Sequence, residues 1–267
     1  RHVAQLEATL QVRLFDRTTR KVALTAAGQE LRESLGRALG EVDAALMRTL
    51  ARHDGLRGTV SVAAGPTPSA ELMPACIARC AREYPELQVE CHDHVQAEVI
   101  AAVRAGVVDF GLGIDPPVSR ALLCEAILSD PFVLVCQRTD ALARLRRVPW
   151  ARLANERLVL LDHSSGSRRL IDEVLAERGI AVRVVQETGH THTAFRMVEA
   201  GLGSSITVGL SAPTSMPHLV ARPLVPTVRR AVTLVRRRDR SLSPPAARVW
   251  TVLRELAAAR RLGTRAG

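Results

Sequence analysis

Short apolar segments alternate with segments of helical periodicity from Gly58 onward, and this alternation constrains the fold more than any other feature of the sequence. The first run contains three predicted strands and two predicted helices, which cover residues 59–64, 69–84, 87–91, 95–105 and 107–114 in chain order. Parallel neighbouring strands need long crossover connections, which helices usually provide. The run therefore predicts a parallel sheet with helices on its faces.

A second run of the same kind predicts a second α/β lobe. Its strands and helices are predicted over residues 131–136, 158–161, 167–178, 182–187, 193–200 and 203–208. Further strands over 219–224 and 231–236 precede a closing helix that begins at Ser243. Two such lobes side by side leave a cleft at the carboxyl ends of their strands, where open α/β sheets bind ligands.

The composition is that of a globular protein, with 47 % hydrophobic and 24 % charged residues in a chain of 267. No apolar run approaches the roughly 20 residues that a membrane-spanning helix needs. Residues 1–10 lack the basic start and apolar middle of a signal peptide. We therefore expect a cytoplasmic protein with no membrane partner. Its five cysteines, an odd number, fit reduced thiols better than disulfides.

The N-terminal region shows a different pattern from the two α/β runs. Val3, Leu6 and Leu10 fall at helical spacing, so we expect the chain to begin inside a helix, with more of that domain upstream. Residues 12–24 then form two apolar-flanked arms around a basic tip. This pattern predicts a small β-hairpin, although an ordinary solvated turn is an open alternative.

A long helix is predicted from Thr25, a suitable N-cap, to near Gly55. Apolar side chains recur along it at a spacing of three or four, most clearly at Leu31, Leu35, Val42 and Leu46. We interpret this stripe as a dimerisation surface between two copies of the helix, giving a homodimer or homotetramer. A helix laid on the core of its own domain is the alternative.

The formal net charge of +10 is concentrated at the ends of the chain. Residues 1–57 carry +3, residues 58–228 carry −2, and residues 229–267 carry +9 from 11 basic and 2 acidic groups. Strongly charged partners are therefore expected to bind only at the two ends of the chain. The run Arg236–Arg240 suggests either a nucleic-acid patch or a solvated loop, and the charge-run rule favours the loop.

Several segments together resemble the LysR-type transcriptional regulators. Residues 1–7, Leu14-Phe15-Asp16-Arg17 and Leu24-Thr25-Ala26-Ala27-Gly28 are similar to the end of that family's recognition helix, its wing and the start of its linker helix. Later motifs follow in the family's order: Gly65-Pro66-Thr67, Pro74, Tyr84-Pro85, Val108-Asp109-Phe110-Gly111, Ser164-Ser165-Gly166-Ser167 and Val198-Glu199-Ala200-Gly201-Leu202-Gly203. The resemblance covers essentially the whole chain.

The resemblance implies an α/β fold with three parts. They are a partial winged helix-turn-helix over 1–24, a linker and dimerisation helix over 25–57, and an effector-binding domain over 58–267. The effector domain is expected to resemble periplasmic binding proteins, with the chain crossing between its lobes twice. Lobe I is expected over about 58–130 plus 236–267, and lobe II over about 131–235.

The resemblance also implies a DNA partner. The family carries helix-turn-helix residues before the position of Arg1, including the serines that begin the recognition helix, and this sequence does not contain them. Base reading depends on that segment, so we expect weakened DNA binding through phosphate contacts alone. The implied DNA-binding residues are Arg1, Arg17, Thr18, Arg20 and Lys21.

The family's effector site carries over onto three strand-to-helix turns. The implied effector-binding residues are Thr67, Pro68 and Ser69; His163, Ser164, Ser165 and Gly166; and Gly189, His190 and Thr191. Hydroxyls and backbone N–H groups at helix N-termini suit a small polar or anionic metabolite, and no lysine or arginine lies in these turns. Taken singly, each turn is explained equally well by helix capping.

Catalytic and metal chemistry find little support in the sequence. Cys91-His92-Asp93-His94 is the best metal candidate, but its side chains alternate between the faces of a strand. Asp109-Phe110-Gly111 lacks the other motifs of a kinase, and no Gly-x-Ser-x-Gly elbow is present. We expect a ligand-responsive DNA-binding transcriptional regulator with no catalytic residues, metal or cofactor. The alternatives are a free-standing solute-binding protein of the same two-lobed fold and a small-molecule enzyme.

Overall fold

A computed structural model of the protein describes residues 2–18, 21–32, 34–35, 38, 42 and 56–263. The N-terminal part begins with helix α1 (His2–Leu10), followed by strands β1 (Phe15–Thr18) and β2 (Lys21–Leu24). The two strands pair antiparallel, with Phe15 opposite Leu24, so the predicted hairpin is present. Helix α2 follows and is helical at every described position from 26 to 42.

The start of α2 is fixed against the hairpin. Thr25 caps the helix as predicted, because its Oγ1 accepts a hydrogen bond from the Gly28 N–H at 3.0 Å. The same hydroxyl donates to the carbonyl of Arg13 at 2.7 Å. A Cβ atom on Gly28 would lie 2.1 Å from the Leu14 carbonyl oxygen. Only glycine therefore fits where α2 approaches the hairpin.

The first lobe contains a parallel three-stranded arrangement in which β3 lies between β4 and β5. Its elements are β3 (Gly58–Ala64), α3 (Pro66–Glu71), α4 (Met73–Glu83), β4 (Leu87–Asp93), α5 (Gln96–Ala105) and β5 (Phe110–Ile114). The single helix predicted over 69–84 is wrong, since the chain forms α3 and α4 with a break at Leu72. Pro74 lies in the first turn of α4, where its missing N–H costs nothing, so it starts a new helix.

Two strands join the lobes. Strand β6 (Leu122–Gln137) is much longer than the predicted strand over 131–136, and β12 (Arg229–Arg237) pairs antiparallel with its first part. The last part of β6 pairs instead with strands of the second lobe. The chain therefore crosses between lobes twice, as predicted.

The second lobe is built around the end of β6. Its regular elements are β7 (Val148–Pro149), β8 (Arg157–Leu161), α6 (Gly166–Glu177), β9 (Arg183–Thr188), α7 (Thr191–Glu199), β10 (Ser205–Val208) and β11 (Leu219–Val225), with 3-10 segments at Leu142–Arg144, Trp150–Leu153 and Gly209–Ser211. Strands β8 and β9 are parallel, while β10 and β11 pair antiparallel with β6. Helix α8 (Pro244–Gly263) then returns to the first lobe, where it packs on α4 and β3.

Each lobe has its own hydrophobic core. Phe110 and Trp250 meet edge to face in the first core, with ring centroids 5.3 Å apart, and Phe132 and Trp150 do so in the second at 6.5 Å. Val232 and Leu234 belong to the first core, which differs from the predicted extent of lobe II to residue 235. None of the helices in the described part of the chain has the length and apolar character needed to span a bilayer.

Candidate functional site

A cleft of about 470 Å³, including the part open to solvent, lies between the lobes. Lobe I lines it with Gly65, Pro66, Thr67, Pro68, Val95, Gln96 and Ile114. Lobe II lines it with Leu161, Ser164, Ser165, Gly166, Gly189 and Thr191, and Arg230 enters from the crossover strand β12. The first turns of α3, α5, α6 and α7 all contribute, because each of these helices begins where a parallel strand has ended. The cleft is therefore surrounded by helix N-termini, which favour negative charge.

The turn before α3 brings the two lobes into contact. Gly65 is the N-cap of this helix and donates its N–H to the carbonyl of Leu112 at 2.9 Å, which fixes the turn to β5. Thr67 Oγ1 accepts a hydrogen bond of 3.4 Å from Ser211 Oγ, which lies in a 3-10 segment of lobe II. The hydroxyl proton of Thr67 stays available for a ligand in the cleft.

The turn before α6 is organised by serine and aspartate. Ser165 is the N-cap, and its Oγ accepts the Ser167 N–H at 3.3 Å. Ser164 donates both its N–H, at 2.9 Å, and its hydroxyl, at 2.5 Å, to Asp162 Oδ1. These two hydrogen bonds lower the pKa of Asp162, so the carboxylate is ionised at neutral pH. A fixed negative charge therefore lies at the lobe II side of the cleft.

Among the described residues that line the cleft, Arg230 is the one with a basic side chain, and the predicted turns do not contain it. Its side chain is only 4 % exposed, and it faces Asp130, the residue directly opposite on β6. Nε and Nη2 of Arg230 donate to Asp130 Oδ2 at 3.4 and 3.3 Å, and Nη1 donates to Ser167 Oγ at 2.5 Å. The sequence carries no local signal for this pair, because the two residues are 100 positions apart.

Burial and pairing shift the pKa values of Arg230 and Asp130 in opposite directions. Desolvation lowers the pKa of Arg230, while the charge of Asp130 and its hydrogen bonds raise it. Desolvation likewise raises the pKa of Asp130, while Arg230 and the N–H of Leu210, 2.9 Å from Oδ1, lower it. Since each charge stabilises the other at hydrogen-bonding distance, we treat the pair as ionised. A buried guanidinium is thus held at the edge of the cleft.

Gln96 is a second lining residue that sequence reasoning missed. Its Nε2 donates to the carbonyl of Ile114 at 2.8 Å, and its Oε1 accepts the Ile114 N–H at 2.9 Å. A Cβ atom on Gly113 would lie 3.1 Å from Oε1, so glycine leaves the room that the amide occupies. The amide of Gln96 is therefore held in a fixed position on the lining of the cleft.

Three predicted effector residues do not line the cleft. Ser69 turns away to approach Cys91, with Oγ and Sγ 3.6 Å apart. His163 has a 70 % exposed side chain, whose Nδ1 lies 3.8 Å from a carboxylate oxygen of Asp172. His190 is the exposed N-cap of α7 and makes no side-chain capping bond. The other predicted residues of the three turns are brought together, as the sequence resemblance implied.

The remaining predicted sites lie in the N-terminal region. Arg1, Arg20 and Leu46 fall outside the described residues, and for Arg17, Thr18 and Lys21 the structure describes only the backbone of the hairpin. Along the predicted dimerisation stripe, Leu31 is partly buried, while Leu35 and Val42 are 47 % and 55 % exposed in the single chain. Their roles in binding DNA or a second copy stay predictions.

The candidate metal motif has other partners. His92 Nε2 lies 2.9 Å from Ser61 Oγ, and His94 Nδ1 lies 3.2 Å from a carboxylate oxygen of Glu98. Within the described ranges, no group of three or more histidine, cysteine or acidic side chains is arranged to hold a metal ion.

The arginine run at the end of β12 folds back on its own lobe. Arg238 donates to the carbonyl of Arg120 at 3.0 Å, and Arg237 pairs with Asp239 at 2.6 Å. These contacts are those of an ordered turn rather than of an extended basic arm.

Comparisons with known proteins match the N-terminal region and the two-lobed domain to the same family. A family model described as LysR substrate binding domain matches residues 53–258, and one described as bacterial regulatory helix-turn-helix protein, lysR family, matches residues 1–29. The chain is 48 % identical over 256 residues to the uncharacterized HTH-type transcriptional regulator YfeR of Shigella flexneri, covering 95 % of this chain and 82 % of the relative.

Solved structures show the same fold. A full-length variant of OxyR from Pseudomonas aeruginosa matches with a TM-score of 0.78 at 21 % identity, over 96 % of this chain and 83 % of that one. Full-length CbnR complexed with its target DNA matches with a TM-score of 0.67 at 24 % identity, over 95 % of this chain and 87 % of that one.

Proposed function

Because the chain belongs to the LysR family of bacterial transcriptional regulators, we propose that a small polar or anionic metabolite binds the cleft between its lobes and thereby alters how it engages DNA. The chain is a ligand-responsive DNA-binding regulator and not an enzyme. The free-standing solute-binding protein is not favoured, because the helix-turn-helix family model matches residues 1–29.

The observation that carries the proposal is the convergence of polar groups from three separate parts of the chain on one cleft. Thr67 comes from lobe I, Ser164 and Thr191 come from lobe II, and Arg230 comes from the crossover. Capping explains each turn alone, but it gives no reason for a buried guanidinium at the place where the turns meet. An anion bound there would meet hydroxyls, a cation and helix dipoles at once.

The same geometry supplies a mechanism for the response. The lobes are joined by β6 and β12, and Asp130 and Arg230 pair directly across these strands. A ligand that touches both lobes favours the relative arrangement in which all its contacts are made. Ligand binding at the cleft is then coupled to DNA binding. The coupling free energy is set by the difference in ligand affinity between the relative arrangements of the lobes.

The partners proposed for the full assembly are DNA and a second copy of the chain. DNA contact is assigned to the hairpin between β1 and β2, and pairing is assigned to the apolar stripe of α2, whose Leu35 and Val42 are exposed in the single chain. CbnR, a fold neighbour, has been solved with its target DNA. We place the protein in the cytoplasm, where its DNA partner lies.

The experiment that tests the proposal has two steps. A metabolite library is first screened against the full chain by thermal shift, since a ligand that binds the folded state raises Tm. Each hit is then added to a fluorescence-anisotropy titration of duplex DNA at several salt concentrations, because phosphate contacts give an affinity that falls steeply with salt. We expect a hit to change the DNA affinity of the wild type. The same hit should no longer bind Arg230→Lys, which keeps the positive charge but lacks the planar guanidinium with its paired N–H donors. Hits that bind Arg230→Lys as well as wild type would contradict the cleft as the site.

A further inference from the structure

Two opposite charges flank the first turn of α6, and the proposed function uses only one of them. Arg230 reaches Ser167 through Nη1, and Asp162 holds Ser164 through Oδ1. Ser164 and Ser167 are three residues apart, so both charges lie at one end of one helix. A ligand seated on this turn therefore meets a cation on one side and an anion on the other.

Arg230 has donors left for a ligand. Its contacts with Asp130 and Ser167 use Nε, one hydrogen of Nη1 and one of Nη2. A guanidinium has five N–H groups, so among the described residues two remain without an acceptor. Because the side chain is held on both sides, these two donors are fixed in direction. Fixed paired donors match the oxygens of a carboxylate.

Asp162 has an acceptor left for a ligand. Both bonds from Ser164 go to Oδ1, and the described part of the chain directs no donor to Oδ2. Oδ2 lies toward Gly189, a lining residue, where an added Cβ would be 3.4 Å away. Holding the turn needs only Oδ1, and an asparagine would also place an oxygen there, although a carboxylate accepts more strongly. Among the described residues, the fold makes no use of Oδ2.

Apolar side chains make up a further part of the lining. Val95, Ile114 and Leu161 come from the two lobes, together with the rings of Pro66 and Pro68. These side chains form no hydrogen bonds and bury aliphatic surface well.

We propose that the effector is zwitterionic, a small α-amino acid with an aliphatic side chain, whose carboxylate binds Arg230 and whose ammonium group binds Asp162. This inference rests on the proposed function, since it names the class of ligand for the same cleft. The backbone N–H of Gly166, in the first turn of α6, adds to the carboxylate contact. The aliphatic side chain lies against the apolar lining residues. A ligand that carries both a carboxylate and an ammonium group is therefore preferred over simple acids and simple amines.

The test uses ligands matched in shape that differ in one charged group. L-Valine is compared with 3-methylbutanoate, which lacks the ammonium group, and with isobutylamine, which lacks the carboxylate. The same three-way set is prepared for L-alanine and L-leucine. Binding to the full chain is measured by calorimetry, and we expect at least one amino acid to bind about ten-fold or more tightly than both of its analogues, as expected for the loss of a charged hydrogen bond.

Variants then assign each charge. Asp162→Asn keeps the bonds to Ser164 and should remove the preference for the amino acid over its deaminated acid, while affinity for the acid should not fall, because a like charge has been removed. Glu173→Gln is the matched control, because it removes one exposed carboxylate from the outer side of α6, where Glu173 pairs with Arg169. This control should leave the preference unchanged.

The outcomes separate this inference from the proposed function. Equal affinity for amino acid and acid in wild type, or an unaltered preference in Asp162→Asn, would overturn the zwitterionic ligand and leave the regulator intact. A library hit of another chemical class that needs Arg230, with no amino acid bound, would do the same. If no small molecule binds the cleft at all, the proposed function fails with it.

Discussion

The two lobes contribute to the cleft in different ways. Apart from the hydroxyl of Thr67, lobe I presents groups that are already satisfied, because Pro66 and Pro68 have no N–H groups and the amide of Gln96 is used on both sides by Ile114. Lobe II presents groups with capacity to spare, such as the hydroxyl of Thr191. The difference indicates that lobe I sets the shape of the ligand and that lobe II, with Arg230, sets its charge.

If the cleft is complete within one chain, removal of the second copy should leave ligand binding unchanged, and this test has the largest expected effect. Leu35→Glu combined with Val42→Glu should dissociate the assembly completely, because pairing of α2 would bury unpaired charges. Light scattering measures the mass, and ligand affinity should be unchanged in the monomer. A wild-type chain that is already monomeric at micromolar concentration would refute the dimerisation stripe.

Arg230 belongs to neither wall, and its removal tests how far the fold itself depends on the cleft charge. Arg230→Met leaves the charge of Asp130 buried without a counter-ion and should cost about 3 to 5 kcal/mol of unfolding free energy. Urea denaturation measures this loss. Arg230→Met with Asp130→Asn should recover much of it, since the amide oxygen still accepts the Leu210 N–H. If the double variant is as unstable as the single one, the loss does not come from the unpaired charge.

A matched substitution on each lobe shows whether the hydroxyls of the two lobes contribute equally to ligand binding. Thr67→Val in lobe I and Thr191→Val in lobe II each remove one hydroxyl from the cleft at nearly constant volume. We expect each to cost about 1 to 3 kcal/mol of ligand binding and to leave folding nearly unchanged. Calorimetry with a hit from the screen measures both. A loss in Thr191→Val alone would mean that lobe I supplies shape only, and unchanged affinity in both would mean that the ligand binds elsewhere.

The smallest expected effect concerns Asp162 and pH. Its pKa in the folded chain is lowered by Ser164, so the stability it contributes is present above its unfolded pKa and is lost as pH falls through the folded value. The difference in Tm between wild type and Asp162→Asn should therefore be constant near neutral pH and shrink below about pH 4. A difference independent of pH down to about pH 2 would show that the carboxylate is not stabilised by the turn.

The sequence predicts those parts of the site that depend on local patterns. Gly166 and Thr191, which the family resemblance implies, begin helices directly after parallel strands, and the alternation of strand and helix patterns predicts that such turns lie at one edge. Arg230 and Gln96 depend on contacts between distant segments, and periodicity contains no information on those. The first half of β6 was not predicted as a strand, because buried Asp130 interrupts its apolar pattern. The burial of Asp130 is explained by Arg230 on the neighbouring strand, which is again a contact between distant segments.

The contact between Gly28 and the Leu14 carbonyl has a mechanical consequence for the regulator. Thr25 bonds to the backbone of Arg13, and Glu7 accepts the N–H groups of Leu14 and Phe15 at 2.8 and 3.1 Å. These contacts fasten the hairpin to the first turn of α2 at several points. We therefore expect a rotation of that turn to carry the hairpin with it, rather than to be absorbed between the two elements.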